Sequence, residues 1–209
     1  MCNDTASATT AIATTVSAGN VWVSDIIGED FKSWENGRVI LDCGTGRGKN
    51  EFIIKKLARW LVDEMLTGGK RGRILYLCPL NSLHAEMIQR RFEAEIAEMG
   101  EEVAAEFPIY EDILEVQPIS TSKRAAGSSR PVGKVFGWFQ VHCVDECHYF
   151  TDFSTYNINT YLSLEVLQSA EKGHVVIYMS ATGGQVYEML NASSPTPQDR
   201  IYTLPQDNA

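Results

Sequence analysis

The chain is 209 residues long, with 44% hydrophobic and 22% charged residues, which suits one sizeable domain of ordinary globular composition. A formal net charge of −9 argues against a uniformly basic, free-standing nucleic-acid binder. No apolar run is long enough to cross a membrane, and the first twenty residues lack the basic start and apolar core of a secretory signal. Five cysteines in no paired framework fit a reducing compartment, so a cytoplasmic location is expected.

In chain order, residues 1–20 are rich in Ala, Thr and Ser and read as a disordered tail. An apolar, β-branched run at Arg38–Cys43 reads as a buried strand. A helix is predicted over Glu51–Leu66, where Ile53, Ile54, Leu57, Trp60, Leu61 and Met65 recur at helical spacing. A strand at Arg73–Cys78, a helix at Ser82–Met99 and a weaker strand at Leu114–Ser120 follow. Ala125–Gly133 carries Gly, Ser and Pro and reads as an exposed loop. A strand at Phe136–Val144, a helix at Tyr156–Glu171 and a strand at His174–Met179 complete the pattern. After Met189 the sequence turns polar and Pro-rich, so 191–209 reads as a linker and 21–190 as the folded domain. Strands that are apolar on both faces and alternate with helices imply an α/β fold: a mostly parallel sheet with helices on both faces.

Charge is segregated along the chain. Val116–Val144 has no acidic residue but carries Lys123, Arg124, Arg130 and Lys134, whereas Glu86–Glu106 is strongly acidic. One face can therefore be basic while the whole stays acidic.

The strand Arg38–Asp42 runs into Cys43-Gly44-Thr45-Gly46-Arg47-Gly48-Lys49-Asn50, and a helix follows. Strand, glycine turn and helix N-terminus form the context of a phosphate-binding loop, in which glycines let backbone N–H groups converge on phosphate oxygens. Lys49 is placed to reach the β- and γ-phosphates of a nucleotide. Asn50 stands where such loops carry a Ser or Thr that ligates magnesium. Its amide oxygen can ligate a hard cation, and Asn50→Thr is expected to retain or improve magnesium-dependent binding. A plain helix-capping glycine turn is the bland alternative. Downstream, Val141–Val144 delivers Asp145 and Glu146 to the end of a strand, where ligands sit in sheets of this class. An Asp there can hold magnesium, and the Glu beside it can orient and deprotonate a water. Ser180-Ala181-Thr182 ends the last strand and by itself reads as a helix cap. The cluster His142, Cys143, Cys147, His148 invites a zinc reading, but a second ligand pair is lacking and a buried strand is favoured.

Gly46–Lys49, Asp145-Glu146-Cys147-His148 and Ser180-Ala181-Thr182, in this order, resemble motifs I, II and III of superfamily 2 helicases of the DEAD/DEAH-box type, bacterial and phage forms in particular. Leu75–Leu83 resembles motif Ia, which contacts the nucleic-acid backbone in that superfamily. The resemblance implies a RecA-like P-loop NTPase lobe using ATP and Mg2+. It implies Gly44, Thr45, Gly46, Arg47, Gly48, Lys49 and Asn50 on nucleotide, and Asp145 and Asn50 on metal. Lys49, Asp145 and Glu146 would be catalytic, with Glu146 as base, and His148, Ser180 and Thr182 would relay nucleotide state. Pro79, Asn81 and Ser82, with the basic Lys123, Arg124 and Arg130, would contact DNA or RNA. A second RecA-like lobe, whose arginines complete the ATP site, is a further implied partner that the residues after Met189 do not accommodate. An adenine-reading glutamine motif is not recognisable upstream of Cys43; Trp22, Phe31 and Trp34 are aromatic candidates for the base.

Two other readings compete. A small-molecule kinase would use the same loop but needs an acceptor pocket that nothing in the sequence assigns. A non-enzymatic nucleotide-binding or adaptor module needs only the loop.

Overall fold

The computed structural model describes residues 12–15, 21–68, 72–79, 82–101, 113–119, 139–153, 158–193 and 199–204. Seven strands form one sheet: β1 Ile12–Thr15, β2 Gly37–Cys43, β3 Ile74–Cys78, β4 Leu114–Pro118, β5 Val141–Val144, β6 Val175–Ser180 and β7 Arg200–Leu204. Their order is β1-β7-β2-β6-β5-β3-β4, and every pairing is parallel. The all-parallel sheet covered on both faces is the α/β architecture expected.

Alternation along the strands sorts the core into two layers. Val39, Leu41 and Cys43 of β2, Ile74, Tyr76 and Cys78 of β3, and Val175, Ile177 and Met179 of β6 face one side. There they meet α1 (Val23–Ile27) and the helix after β2, which runs as α2 (Lys49–Glu51), a wider π-wound stretch (Phe52–Ala58) and α3 (Arg59–Leu66). Helix α4 (Ser82–Glu98) completes that layer. Ile40, Leu75, Leu77, Val144, Val176 and Tyr178 face the other side. They pack on α5 (Tyr149–Phe153), α6 (Ile158–Ala170) and α7 (Gly183–Ser193). Period-two side chains on strands buried from both sides give this result directly.

Four expectations are corrected. The supposed tail contains β1, an edge strand paired to β7, although its other residues lie outside the described ones. The supposed linker contains β7, which sits inside the sheet between β1 and β2. Only Tyr202 and Leu204 of β7 are buried, so its sequence never reads as a continuous apolar run. Helix α7 runs to Ser193, past the expected boundary, and was not anticipated because its apolar stripe is short: Val186 and Leu190. The helix after the glycine loop begins at Lys49 rather than Glu51. The loop 125–133 lies outside the described residues. Among those described, no helix is long and apolar enough to cross a membrane.

At the amino-terminal edge of the sheet, fully buried Arg38 donates through Nε and Nη2 to the two Glu171 oxygens, at 3.1 and 2.7 Å. Its Nη1 lies 3.5 Å from Asp199 Oδ2, and the Tyr178 hydroxyl donates to Glu171 at 2.7 Å. This cluster ties β2 and β6 to the turn after α6 and to the entry of β7. Burial, partly offset by Arg38, raises the Asp199 carboxyl from its ordinary 3.8 to about 6. A group whose pKa is raised on folding contributes stability below its unfolded pKa and loses it as pH rises through the folded value. Asp199 therefore favours the fold below about pH 4 and progressively ceases to between pH 4 and 6. Melting curves across that window should show Asp199→Asn gaining on the wild type as pH rises; a constant difference would refute the assignment.

Candidate functional site

The glycine loop, the turn after β5, the residues after β6 and the end of β3 all lie at the carboxyl edge of the sheet, because all four strands run parallel. Within the loop, Gly46 and Gly48 have φ of 75° and 81°, which disfavours any side chain. Gly48 has a second reason to be glycine: a Cβ there would lie 3.0 Å from the Trp22 indole. Helix α1 is joined to the loop by the hydrogen bond from Val23 N–H to the Arg47 carbonyl, 3.0 Å. Lys49 is largely buried, and its Nζ donates to the carbonyls of Cys43 and Gly44 at 2.8 and 3.1 Å. The ammonium is thereby held inside the curl of the loop.

The turn after β5 is pinned from both sides. Asp145 N–H donates to the Leu77 carbonyl of β3 at 2.8 Å, and Cys147 N–H to the Met179 carbonyl of β6 at 2.9 Å. Between these anchors Glu146 takes φ 48°, a left-handed conformation that side chains other than glycine adopt at a cost. Its backbone N–H donates to Asp145 Oδ1 at 3.1 Å. Asp145 is buried, whereas Glu146 reaches into a cavity of about 630 Å³ shared with Thr45–Asn50, Asp145 and Trp22.

His148 Nδ1 lies 3.2 Å from Glu146 Oε2 and 3.1 Å from Ser180 Oγ. Ser180 Oγ in turn is 3.2 Å from Thr182 Oγ1 and accepts from Thr182 N–H at 3.1 Å. Ser180 and Thr182 are thus linked to Glu146 through one imidazole.

No protein-family model and no curated protein sequence matches the chain. Among solved structures, Mss116p (NTE and C-tail double deletion) bound to ssRNA and AMP-PNP matches with a TM-score of 0.58 at 12% identity. The match covers 95% of this chain and 48% of that one, so the chain spans about half the length of its structural neighbour. The fold is RecA-like. Identity this low speaks to fold alone.

Of the expected site residues, Gly44–Asn50, Asp145, Glu146, His148, Ser180 and Thr182 gather at this edge. Pro79 follows β3 on the same edge and Ser82 opens α4. Asn81, Lys123, Arg124 and Arg130 lie outside the described residues. Trp22 is half exposed beside the loop. Phe31 and Trp34 instead are buried against Phe52, the first edge-on and the second tilted, which removes them as candidates for contacting a base. Among the described residues no cluster of three or more His, Cys, Asp or Glu could hold a metal, and burial pushes the Cys43 and Cys78 thiols up to about 11.

Two residues that the sequence did not single out belong here. The Tyr76 hydroxyl, from the middle of β3, lies 2.7 Å from Asn50 Oδ1 and 2.8 Å from Asp145 Oδ2. His84 Nε2 is 3.1 Å from the same Asp145 oxygen but off the line of a good hydrogen bond, so the contact is chiefly electrostatic. The carboxylate raises the imidazole pKa, through that contact first. The only advance signal for either was the odd Asn50, whose unusual side chain needs an unusual partner.

Asp42, the residue before the loop, accepts from Gly183 N–H at 2.8 Å and so caps α7 from another element. A Cβ on Gly183 would lie 2.9 Å from the Asp42 Cα. Gly183→Ala must therefore push α7 off β2, with an expected cost of about 1–3 kcal/mol by overpacking. Thermal or denaturant melts check this, and an unchanged midpoint would mean that α7 is not seated as described.

Proposed function

We propose that this chain is the ATP-binding lobe of a nucleic-acid-dependent ATPase of helicase type, coupling Mg-ATP hydrolysis to remodelling of, or movement along, DNA or RNA. The observation that carries this reading is the single cavity in which the glycine loop, Lys49, Asp145 and Glu146 meet beside an exposed indole. A kinase or a passive nucleotide-binding module accounts for the loop, but not for a carboxylate in a left-handed turn linked through His148 to Ser180 and Thr182.

In this reading the loop amides and the start of α2 bind phosphate oxygens, since both present N–H donors and the positive end of a helix. Lys49 exchanges the carbonyls of Cys43 and Gly44 for the β- and γ-phosphates. Trp22 offers a face to the base. Asp145 and Asn50 are hard oxygen donors on adjoining elements, and Asp145 keeps carboxylate lone pairs beyond those its neighbours use, so the residues fit a magnesium ion. Magnesium bound there supplies charge neutralisation at the phosphates. Glu146 orients the attacking water and takes its proton. His148, Ser180 and Thr182 pass the state of that carboxylate to a nucleic-acid surface near Pro79 and Ser82, and the basic Lys123, Arg124 and Arg130 add phosphate contacts. A second lobe, as long as this one, belongs to the proposal, because the chain matches only half of its structural neighbour.

Calorimetric titration with Mg-ATP tests the reading. Lys49→Ala should lose about ten- to a hundredfold in affinity, the worth of a charge-assisted phosphate contact of about 1.5–3 kcal/mol. Equal affinity in wild type and variant would overturn the site. Glu146→Gln should leave binding intact while removing hydrolysis, whether the lobe acts alone or is supplemented with its partner lobe. Turnover undiminished in Glu146→Gln would give the base another identity.

A further inference from the structure

Tyr76 is fully buried in β3, yet its hydroxyl emerges beneath the glycine loop between Asn50 Oδ1 at 2.7 Å and Asp145 Oδ2 at 2.8 Å. A phenol has one proton, so it cannot donate to both oxygens at once. The oxygen and nitrogen of an Asn amide exchange places by a rotation that leaves its outline unchanged. Turned that way, the Asn50 NH2 donates to the Tyr76 oxygen, the Tyr76 O–H donates to Asp145 Oδ2, and the Asn50 carbonyl oxygen faces the cavity that Asn50 and Asp145 both line. The phenol proton then has a single acceptor, and the Asn50 oxygen, with the Asp145 lone pairs not taken by Tyr76 and the Glu146 N–H, is left for a cation. Packing alone does not call for the hydroxyl, since a phenyl ring fills the same place among the apolar residues of that layer.

We infer that Tyr76 is a positioning residue for the divalent cation that accompanies the nucleotide, and that Asn50 and Tyr76 together replace the single Ser or Thr hydroxyl usual after the loop lysine. The inference rests on the ATP reading above. It reverses the expectation from sequence for Asn50→Thr. A Thr hydroxyl sits one bond closer to the backbone than the Asn50 amide group, so it withdraws from the phenol that Asn50 meets.

Calorimetric titration of ADP, in excess Mg2+ and in EDTA, separates metal-dependent from metal-independent binding without turnover. For the wild type, Mg2+ should tighten ADP binding. Tyr76→Phe should lose about tenfold or more of that tightening, the usual scale for removing a partner of a metal ligand, with affinity in EDTA and melting temperature unchanged. Asn50→Thr should lose a comparable factor. The double variant Asn50→Thr/Tyr76→Phe should lose no more than either single one, because the two side chains act as a unit. Tyr76→Phe with wild-type Mg2+ dependence, equal losses in Mg2+ and EDTA, or additive losses in the double variant would overturn the inference and leave the ATP reading standing. Absence of ADP binding by the wild type under both conditions would overturn the ATP reading, and this inference with it.

Discussion

Two backbone hydrogen bonds across the carboxyl edge of the sheet hold the turn after β5: Asp145 N–H to the Leu77 carbonyl, and Cys147 N–H to the Met179 carbonyl. They continue the ladders that already pair β5 with β3 and β6, so the position of the turn is set by strand register. A slip of one residue would exchange the faces of Cys143 and Val144 and bury a carboxylate in a dry layer. Register is therefore enforced by the core, and the site inherits its precision from the core. Glu146 is the residue on which the constraint falls. With both neighbours pinned, it is held in the left-handed region, and its side chain is directed to the cavity rather than along the strand.

The opposite edge is fastened by different physics. Arg38, Glu171, Asp199 and Tyr178 form a buried polar cluster at the start of β2, with β6 and the entry of β7 drawn in. Desolvating such groups costs about as much as their attraction returns, so the cluster is weak evidence for stability. What it supplies is discrimination: another pairing of β7 would leave a guanidinium or a carboxylate buried without its partner. β7 is short, and only two of its residues are buried, so apolar packing alone specifies its place poorly. One edge of the sheet is locked by charge, and the other is left free for loops.

The inner strands were legible in the sequence because both faces are covered and their residues are apolar throughout. β7 was not legible, since half-burial leaves Arg200 and Thr203 in a run that follows two prolines and reads as linker. β1 is small and β-branched within a tail of the same composition. At the site, the glycine loop and the Asp-Glu pair were legible because backbone conformation and charge dictate residue types there. Tyr76 was not: in Leu75-Tyr76-Leu77-Cys78 it is indistinguishable from a core aromatic, and only the fold brings its hydroxyl to residues 26 and 69 positions away. His84 was hidden in the same way, inside a helix whose sequence gives no reason to look at Asp145.

The charges around the cavity bear on what the lobe can do unaided. Lys55 and Arg91 both line it, but both pair with Glu51, so much of their charge is met at the foot of α2. His84 is engaged by Asp145. Lys49 is held on the Cys43 and Gly44 carbonyls inside the loop, and Arg47 belongs to the same loop, so under the ATPase reading both would serve the bound phosphates rather than the far side of a transferring group. Under the ATPase reading, the described residues thus serve the ground state well: they bind phosphate, seat a cation and hold a base. Charge that grows on the transferring phosphoryl group needs a cation approaching from outside the loop, worth roughly 10³–10⁵ in rate where related enzymes supply one. Thr182 and His148 lie on the edge such a body would meet; each is one contact from Ser180, and His148 also contacts Glu146 directly. The same contacts that would complete catalysis would therefore also sense it, which is the coupling a nucleic-acid motor requires.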